Sequence, residues 1–221
     1  MIRFYATPLS SYSAKVRIAL MFKNVAFEEL LPPGGYRSAE WKVMVPAGTV
    51  PAIWVDGVML AESEAIIEYL EDTCPQPPLV PGNALARARA RYLARLHDLH
   101  VEPRVRALFP FCKDPQRSRG DVNAAASALV AKIQLLETCA QPAPYLAGPT
   151  FSTADCGMVV SITLGQWLLA EMDVPLALPP GLATWLATAS AHPAVVTALA
   201  PWRSATAQWL ESFRSITVQT P

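Results

Sequence analysis

The sequence predicts two successive domains of different class: an α/β domain of order β-α-β-α-β-β-α over residues 1–73, and an all-helical domain over 84–221. Three observations predict this. Short apolar runs alternate with helical spacing through the first 72 residues. Residues 74–83, CPQPPLVPGN, then place four prolines and a glycine where no helix or central strand can run, so they form a linker. Beyond them strand-like runs are absent. With 52% hydrophobic and 16% charged residues among 221, the chain has material for two cores, and disorder as its default state is excluded.

Ile2 to Tyr5 is a brief apolar strand, followed by the turn Thr7-Pro8-Leu9-Ser10-Ser11. From Ser11 to Asn24 the spacing becomes helical, with Val16, Ile18, Ala19, Leu20 and Phe22 able to face a core. Val25 to Leu31 is a second strand that Pro32-Pro33-Gly34-Gly35 breaks, and Ser38 to Met44 suits a short helix. Val50–Val55, Asp56-Gly57 and Val58–Leu60 form a hairpin, since Asp-Gly between apolar runs is a strong turn signal. Glu62 to Asp72 closes the domain as an amphipathic helix carrying Ile66, Ile67 and Leu70. A strand-helix-strand crossover followed by a hairpin predicts a mixed sheet covered by helices.

In the second domain, 84–112, 118–140 and 152–170 are predicted helices. Leu85, Tyr92, Leu96 and Leu99 mark a buried stripe on the first, which Pro103 is expected to kink; Leu129, Ile133 and Leu136 mark the second. Two shorter helices are expected within 181–212, punctuated by Pro193 and Pro201.

The 18 basic and 18 acidic residues balance, leaving no basic excess for nucleic acid or an anionic membrane. Arg87, Arg89, Arg91, Arg95, Arg104, Arg106 and Lys113 against Asp98 and Glu102 read as a solvated helix face. No run approaches ~18 apolar residues, so no membrane span is expected. MIRFYATPLS lacks a charged lead before an apolar run, so no secretory signal is expected. Cys74, Cys112, Cys139 and Cys156 are scattered, with no spacing suited to a metal, and the expected compartment is the cytosol.

Three local features admit both a structural and a functional reading. Ser10 stands where a helix begins: it is either an N-cap or a hydroxyl beside free N–H groups that favour an anion. Val50-Pro51 opens a strand: either a tolerated first-position proline, or a cis-proline that leaves Val50 to pair with an extended peptide. Glu62-Ser63 starts a helix: either a cap, or a hydroxyl and carboxylate that bind an amino acid's two charged groups. Their ordered coincidence is not well explained by capping alone.

At these residues the sequence resembles the glutathione transferase superfamily. Pro8-Leu9-Ser10-Ser11-Tyr12-Ser13-Ala14-Lys15-Val16-Arg17-Ile18-Ala19-Leu20 resembles the serine-type segment of its tau- and zeta-like classes and lines up with the glutaredoxin CPYC motif. Gly48-Thr49-Val50-Pro51-Ala52-Ile53 is similar to the family's GKVPxL element, and Glu62-Ser63-Glu64-Ala65-Ile66-Ile67-Glu68-Tyr69-Leu70 to its ESxAIxxYL helix. Tyr145-Leu146-Ala147-Gly148 with Phe151-Ser152-Thr153-Ala154-Asp155 resembles its helical-domain signature, in which Ser152 and Asp155 have capping-box spacing and serve folding. Two positions depart from the pattern: Val45-Pro46 replaces the usual Asn-Pro, and Thr49 the usual Lys or Gln.

The resemblance implies a thioredoxin-like first domain, glutathione as co-substrate, no metal and a homodimer. It implies Ser10 as the thiol's hydrogen-bond donor, with Val50, Pro51, Glu62 and Ser63 holding the rest of the ligand. Ser11, Tyr12 and Thr49 are secondary candidates, and Asp98 is one that could approach the ammonium of glutathione in a partner subunit. Tyr12, Leu108 and Phe109 are candidates for a hydrophobic electrophile pocket between the domains. The leading expectation is conjugation of glutathione to such an electrophile. The alternatives are a zeta-like isomerase, whose class typically has Ser-Ser-Cys where this chain has Ser10-Ser11-Tyr12, and a non-catalytic ligand-binding module. Disulfide exchange would need a cysteine near Ser10, and the first is Cys74. No G-x-S-x-G elbow supports a hydrolase, and His97 and His100 read as surface or satisfied interior groups.

Overall fold

The β-α-β-α-β-β-α order is realised in the computed structural model, which describes residues 1–114 and 116–217. Contacts divide the chain into one unit of Met1–Leu79 with His192–Ala205 and another of Val80–Ala191 with the residues from Thr206 onward. In the first unit, β1 (Ile2–Tyr5), β2 (Phe27–Leu30), β3 (Ala52–Val55) and β4 (Val58–Ala61) form a sheet of order β2-β1-β3-β4. The crossover through α1 (Ser11–Phe22) makes β1 parallel to β2, and the hairpin makes β3 antiparallel to both β1 and β4. Asp56 and Gly57 have φ of 49° and 82°, the two positive values that a two-residue type I′ turn requires.

Two buried cations tie α1 to its surroundings. Arg17 donates from Nε to Glu29 Oε2 at 2.8 Å and pairs through its second nitrogen with Oε1, joining α1 to β2. Lys23, at the end of α1, uses its ammonium on Glu71 Oε2 at 2.7 Å, Cys74 O at 2.7 Å and Pro77 O at 3.1 Å. Glu71, on α3 (Ser63–Thr73), also accepts the Leu79 N–H at 2.9 Å. The proline-rich segment is thus held by a desolvated ion pair while remaining free of helix and strand.

The second unit is built around α8 (Thr153–Ala170), most of whose residues are buried. Asp155 accepts hydrogen bonds from Ser152 N (2.9 Å), Ser152 Oγ (3.0 Å), Leu146 N (3.0 Å) and Trp185 Nε1 (2.7 Å). Burial pushes its carboxyl above the ordinary value, and these four donors pull it back. The residue therefore fixes the entry to α8, the loop before it and α9 (Pro180–Ala191).

Three expectations are corrected here. The predicted helix 84–112 is α4 (Ala84–Leu96), a π-helical turn over His97–Val101, α5 (Glu102–Arg106) and α6 (Phe109–Lys113). Pro103 has no N–H to bond the Leu99 carbonyl four residues back, and a wider, π-helical turn stands just before it. Second, of the expected buried stripe only Leu96 is buried; Leu85, Tyr92 and Leu99 are 79%, 52% and 59% exposed. The residues that α4 buries are Ala90, Leu93, Ala94 and Leu96, and α4 packs chiefly on α8. Third, Pro201 does not end a helix: α10 runs Pro193–Thr217 through it, with Ala198, Leu199 and Trp202 buried around the defect. Between α6 and α8, α7 (Arg119–Cys139) buries Leu129, Ile133 and Leu136 as expected.

Candidate functional site

The sheet register gathers the first-domain candidates. Tyr5 pairs with Ala52, and Ala52 with Ala61, so the end of β1, the start of β3 and the end of β4 form one row across adjacent strands. Each borders a candidate segment: Ala6–Ser10 follows β1, Val50-Pro51 precedes β3, and Glu62-Ser63 follows β4. Residues scattered over more than fifty positions of sequence therefore share one end of the sheet.

Ser10 is the N-cap of α1, with extended backbone, and its Oγ accepts the Ser13 N–H at 3.1 Å. The structural reading is realised, yet it uses only the oxygen as acceptor and leaves the hydroxyl proton to donate elsewhere. Ser10 and Tyr12 are half-buried, while Ser11 is buried. The Val50–Pro51 bond is cis, and Val50 lies outside both ladders of β3, whose pairing begins at Ala52.

Ser63 does not cap α3. Glu62 occupies the N-cap position with φ 71° and ψ 120° and makes no side-chain capping bond, while Ser63 is the first helical residue and is buried. A left-handed φ at a non-glycine residue costs on the order of 1–3 kcal/mol, and such strain gathers at functional sites. Glu62 thus supplies no side-chain acceptor to the first turn of α3.

Sequence reasoning missed two supports. Lys15, only 1% exposed, pairs with Glu64 at 2.7 Å, linking the N-terminal halves of α1, which Ser10 caps, and α3, which begins at Ser63. A lysine amid the apolar run 14–20 was the available signal. Trp41, on α2 (Ala39–Met44), is fully buried and donates its indole N–H to Thr49 O at 3.0 Å. Among the described residues no group of three or more His, Cys, Asp or Glu side chains could hold a metal ion.

The remaining candidates lie in the second unit. Asp98 accepts from Arg95 at 3.2 Å and faces His97 Nδ1 at 2.8 Å. His97 Nε2 lies 2.7 Å from Ser161 Oγ, a Ser–His–Asp array by composition. The Ser161 hydroxyl, however, donates to Glu102 and not to His97, whereas a nucleophile's proton would go to its general base. Ser161, Glu102 and His97 are at most 1% exposed, so the array is an interior network, and His97 is a satisfied core group as expected. Glu102 is further paired with Arg106 Nε at 3.0 Å. Leu108 is fully buried and belongs to the helical core, whereas Phe109 is half-buried with its ring 5.4 Å from that of Trp209.

Residues 9–73 match the family model for the glutathione S-transferase N-terminal domain. Glutathione S-transferase Z2 of Arabidopsis thaliana is 32% identical over 163 residues, 70% of this chain and 72% of that protein. Maleylacetoacetate isomerase of Pseudomonas aeruginosa is 39% identical over 108 residues, 46% of this chain and 51% of that one. The chain spans about half the length of the curated maleylacetoacetate isomerases it matches. The structure of maleylacetoacetate isomerase from Methylobacterium extorquens AM1 with bound malonate and glutathione is 26% identical, with a TM-score of 0.72, covering 91% of this chain and 97% of that one. The first unit's sheet topology, the Ser10 segment and these relatives agree: this chain belongs to the glutathione S-transferase family.

Proposed function

We propose that this chain binds glutathione along the Tyr5–Ala52–Ala61 end of its sheet, activates the thiol, and uses it to isomerise an activated double bond. The observation that carries the binding reading is that row. Adjacent strands are about 4.8 Å apart, so segments on β1, β3 and β4 span about 10 Å. An extended tripeptide reaches about the same distance. The ligand's γ-glutamyl carboxylate meets Ser63 and the start of α3, with Glu62 near its ammonium. Val50, before Pro51, offers its backbone N–H and C=O in strand-addition fashion. Sulfur falls to Ser10 at the start of α1, with Ser11, Tyr12 and Thr49 as neighbours.

A free thiol titrates near ~8.5, leaving a few per cent thiolate at neutral pH. Lowering that by about two units takes roughly 2.7 kcal/mol of preference for the thiolate. A hydroxyl donating to a charged acceptor contributes about 1.5–3 kcal/mol, and a helix N-terminus about 0.3–1 kcal/mol. Ser10 and α1 are together sufficient. Ser10 is thus a donor and the attacking atom is glutathione sulfur.

The isomerase relatives favour addition and release: a C–S bond forms as the double bond becomes an enolate, the new single bond rotates, and the C–S bond breaks to return glutathione. Tyr12, standing where the zeta-like class has cysteine, favours the second reading, conjugation to a hydrophobic electrophile, with Tyr12 as an aromatic contact. Glutathione stoichiometry tests the two. Turnover of a cis-enedione acid such as maleylacetoacetate with thiol titre unchanged supports isomerisation. One thiol lost per turnover of an activated aryl halide supports conjugation. No binding at millimolar glutathione would sink both and leave the ligand-binding module.

The exposed Leu85 and Tyr92, two turns apart on α4, with Leu99 beyond them, form an apolar face suited to a second copy of the chain. The homodimer is proposed on that face, with Asp98 beside it as the residue directed to the partner's glutathione. Leu85→Glu with Tyr92→Glu should convert a sedimenting dimer to monomer; a wild type that is monomeric at micromolar concentration refutes it.

A further inference from the structure

The loop that delivers Val50 carries neither of the polar side chains the sequence pattern leads one to expect, with Val45 and Thr49 in their places. Its shape is instead set from beneath. Trp41 accepts the Val45 N–H on its carbonyl at 2.8 Å, Gly48 N–H bonds Val45 O at 2.7 Å, and the Trp41 indole N–H holds Thr49 O at 3.0 Å. The indole lies in a core cluster with Tyr5, Val45, Val50 and Ala52, its ring 5.1 Å from that of Tyr5. Trp41 is itself anchored, since Ser38 Oγ accepts its backbone N–H at 2.9 Å and donates to Pro33 O at 2.7 Å. Gly48, with φ 65°, completes the turn where a Cβ would meet Lys42 Cγ and Cε at 3.1 Å.

From this geometry we infer that Trp41 is the positioning residue of the peptide-binding strand: by holding the Thr49 carbonyl it fixes the peptide unit joining Thr49 to Val50, whose N–H is the Val50 donor to ligand. Trp41 touches no ligand and acts only through Val50. The inference rests on the proposed binding of glutathione at this end of the sheet. It separates two halves of the site: Trp41 governs how firmly the peptide is held, and Ser10 governs the thiol's acidity.

The test is Trp41→Phe, which keeps an aromatic ring and removes the N–H. Calorimetry with glutathione should show binding weakened about five-fold, as for loss of one net hydrogen bond. The thiolate absorbance of the bound ligand should give an unchanged apparent thiol pKa, and amide exchange at Thr49 and Val50 should quicken. If affinity is unchanged while thermal stability falls, Trp41 is structural only and the inference is overturned; a raised thiol pKa overturns the separation of roles. Should Trp41→Phe fail to fold, benzothienylalanine at position 41, of indole shape but with sulfur for N–H, takes the same measurements. Wild-type protein that does not bind glutathione instead refutes the underlying function, while faster exchange at Thr49 and Val50 on substitution would still report the positioning contact.

Discussion

Replacing Ser10 separates the two tasks that its side chain performs. Its Oγ accepts the Ser13 N–H at 3.1 Å, so Ser10→Ala should cost about 1 kcal/mol of cap stability, roughly 2–4 °C for a chain of this length. Ser10→Gly removes the same oxygen but costs only a few tenths, since glycine is tolerated at an N-cap. Both remove the hydroxyl donor proposed for the thiolate, worth about 1.5–3 kcal/mol, or about one to two pK units. The bound thiol's apparent pKa should therefore rise by about that amount in both variants, while only Ser10→Ala melts clearly lower. Ser10→Thr keeps donor and acceptor and should resemble wild type in both. The assay is thiolate absorbance of saturated complexes against pH, beside thermal melts of the free proteins. A Ser10→Gly complex whose thiol titrates as in wild type would refute the donor role and leave Ser10 a cap.

The buried Lys23–Glu71 pair should be costly to break: Lys23→Met removes the cation that faces the Glu71 carboxylate in the interior, for about 3–5 kcal/mol in urea unfolding. Adding Glu71→Gln should recover part of that loss, and strictly additive losses would show that the pair is not coupled. At Gly157 a Cβ would come 2.5–2.9 Å from three atoms of the His97 ring, which is held on both sides by Ser161 and Asp98. Gly157→Ala should cost about 1–3 kcal/mol by overpacking, and an unchanged melting temperature would contradict that geometry. His192 accepts the Ala194 N–H on Nδ1 at 3.3 Å, and burial holds its imidazole below the ordinary value. The unfolded chain therefore takes up its proton first, so this contribution to stability is present above about pH 6.5 and declines as pH falls through the lowered folded value. His192→Asn should flatten the decline in melting temperature between pH 7.5 and 5, and an identical slope in both proteins would exclude His192 as a source.

What the sequence by itself determined is local. Asp56-Gly57 set a turn because both φ values had to be positive, Pro32-Pro33-Gly34-Gly35 ended a strand, and the Pro-rich segment excluded regular structure, each through the backbone limits of a few adjacent residues. Ser10, Val50-Pro51 and Glu62-Ser63 were legible as candidates for the same reason, as residues that open a helix or a strand. What tertiary structure alone decided is which surfaces meet. Bulky Leu85, Tyr92 and Leu99 have the spacing of a core stripe, but burial depends on the neighbour, and α4 buries Ala90, Leu93, Ala94 and Leu96. Pro201 continues a helix because packing around it outweighs one lost hydrogen bond. Ser63 lost its capping role to a left-handed Glu62, and Trp41 acquired one on Thr49, because such contacts are fixed by strand pairing and side-chain reach across the fold, which no sequence spacing records.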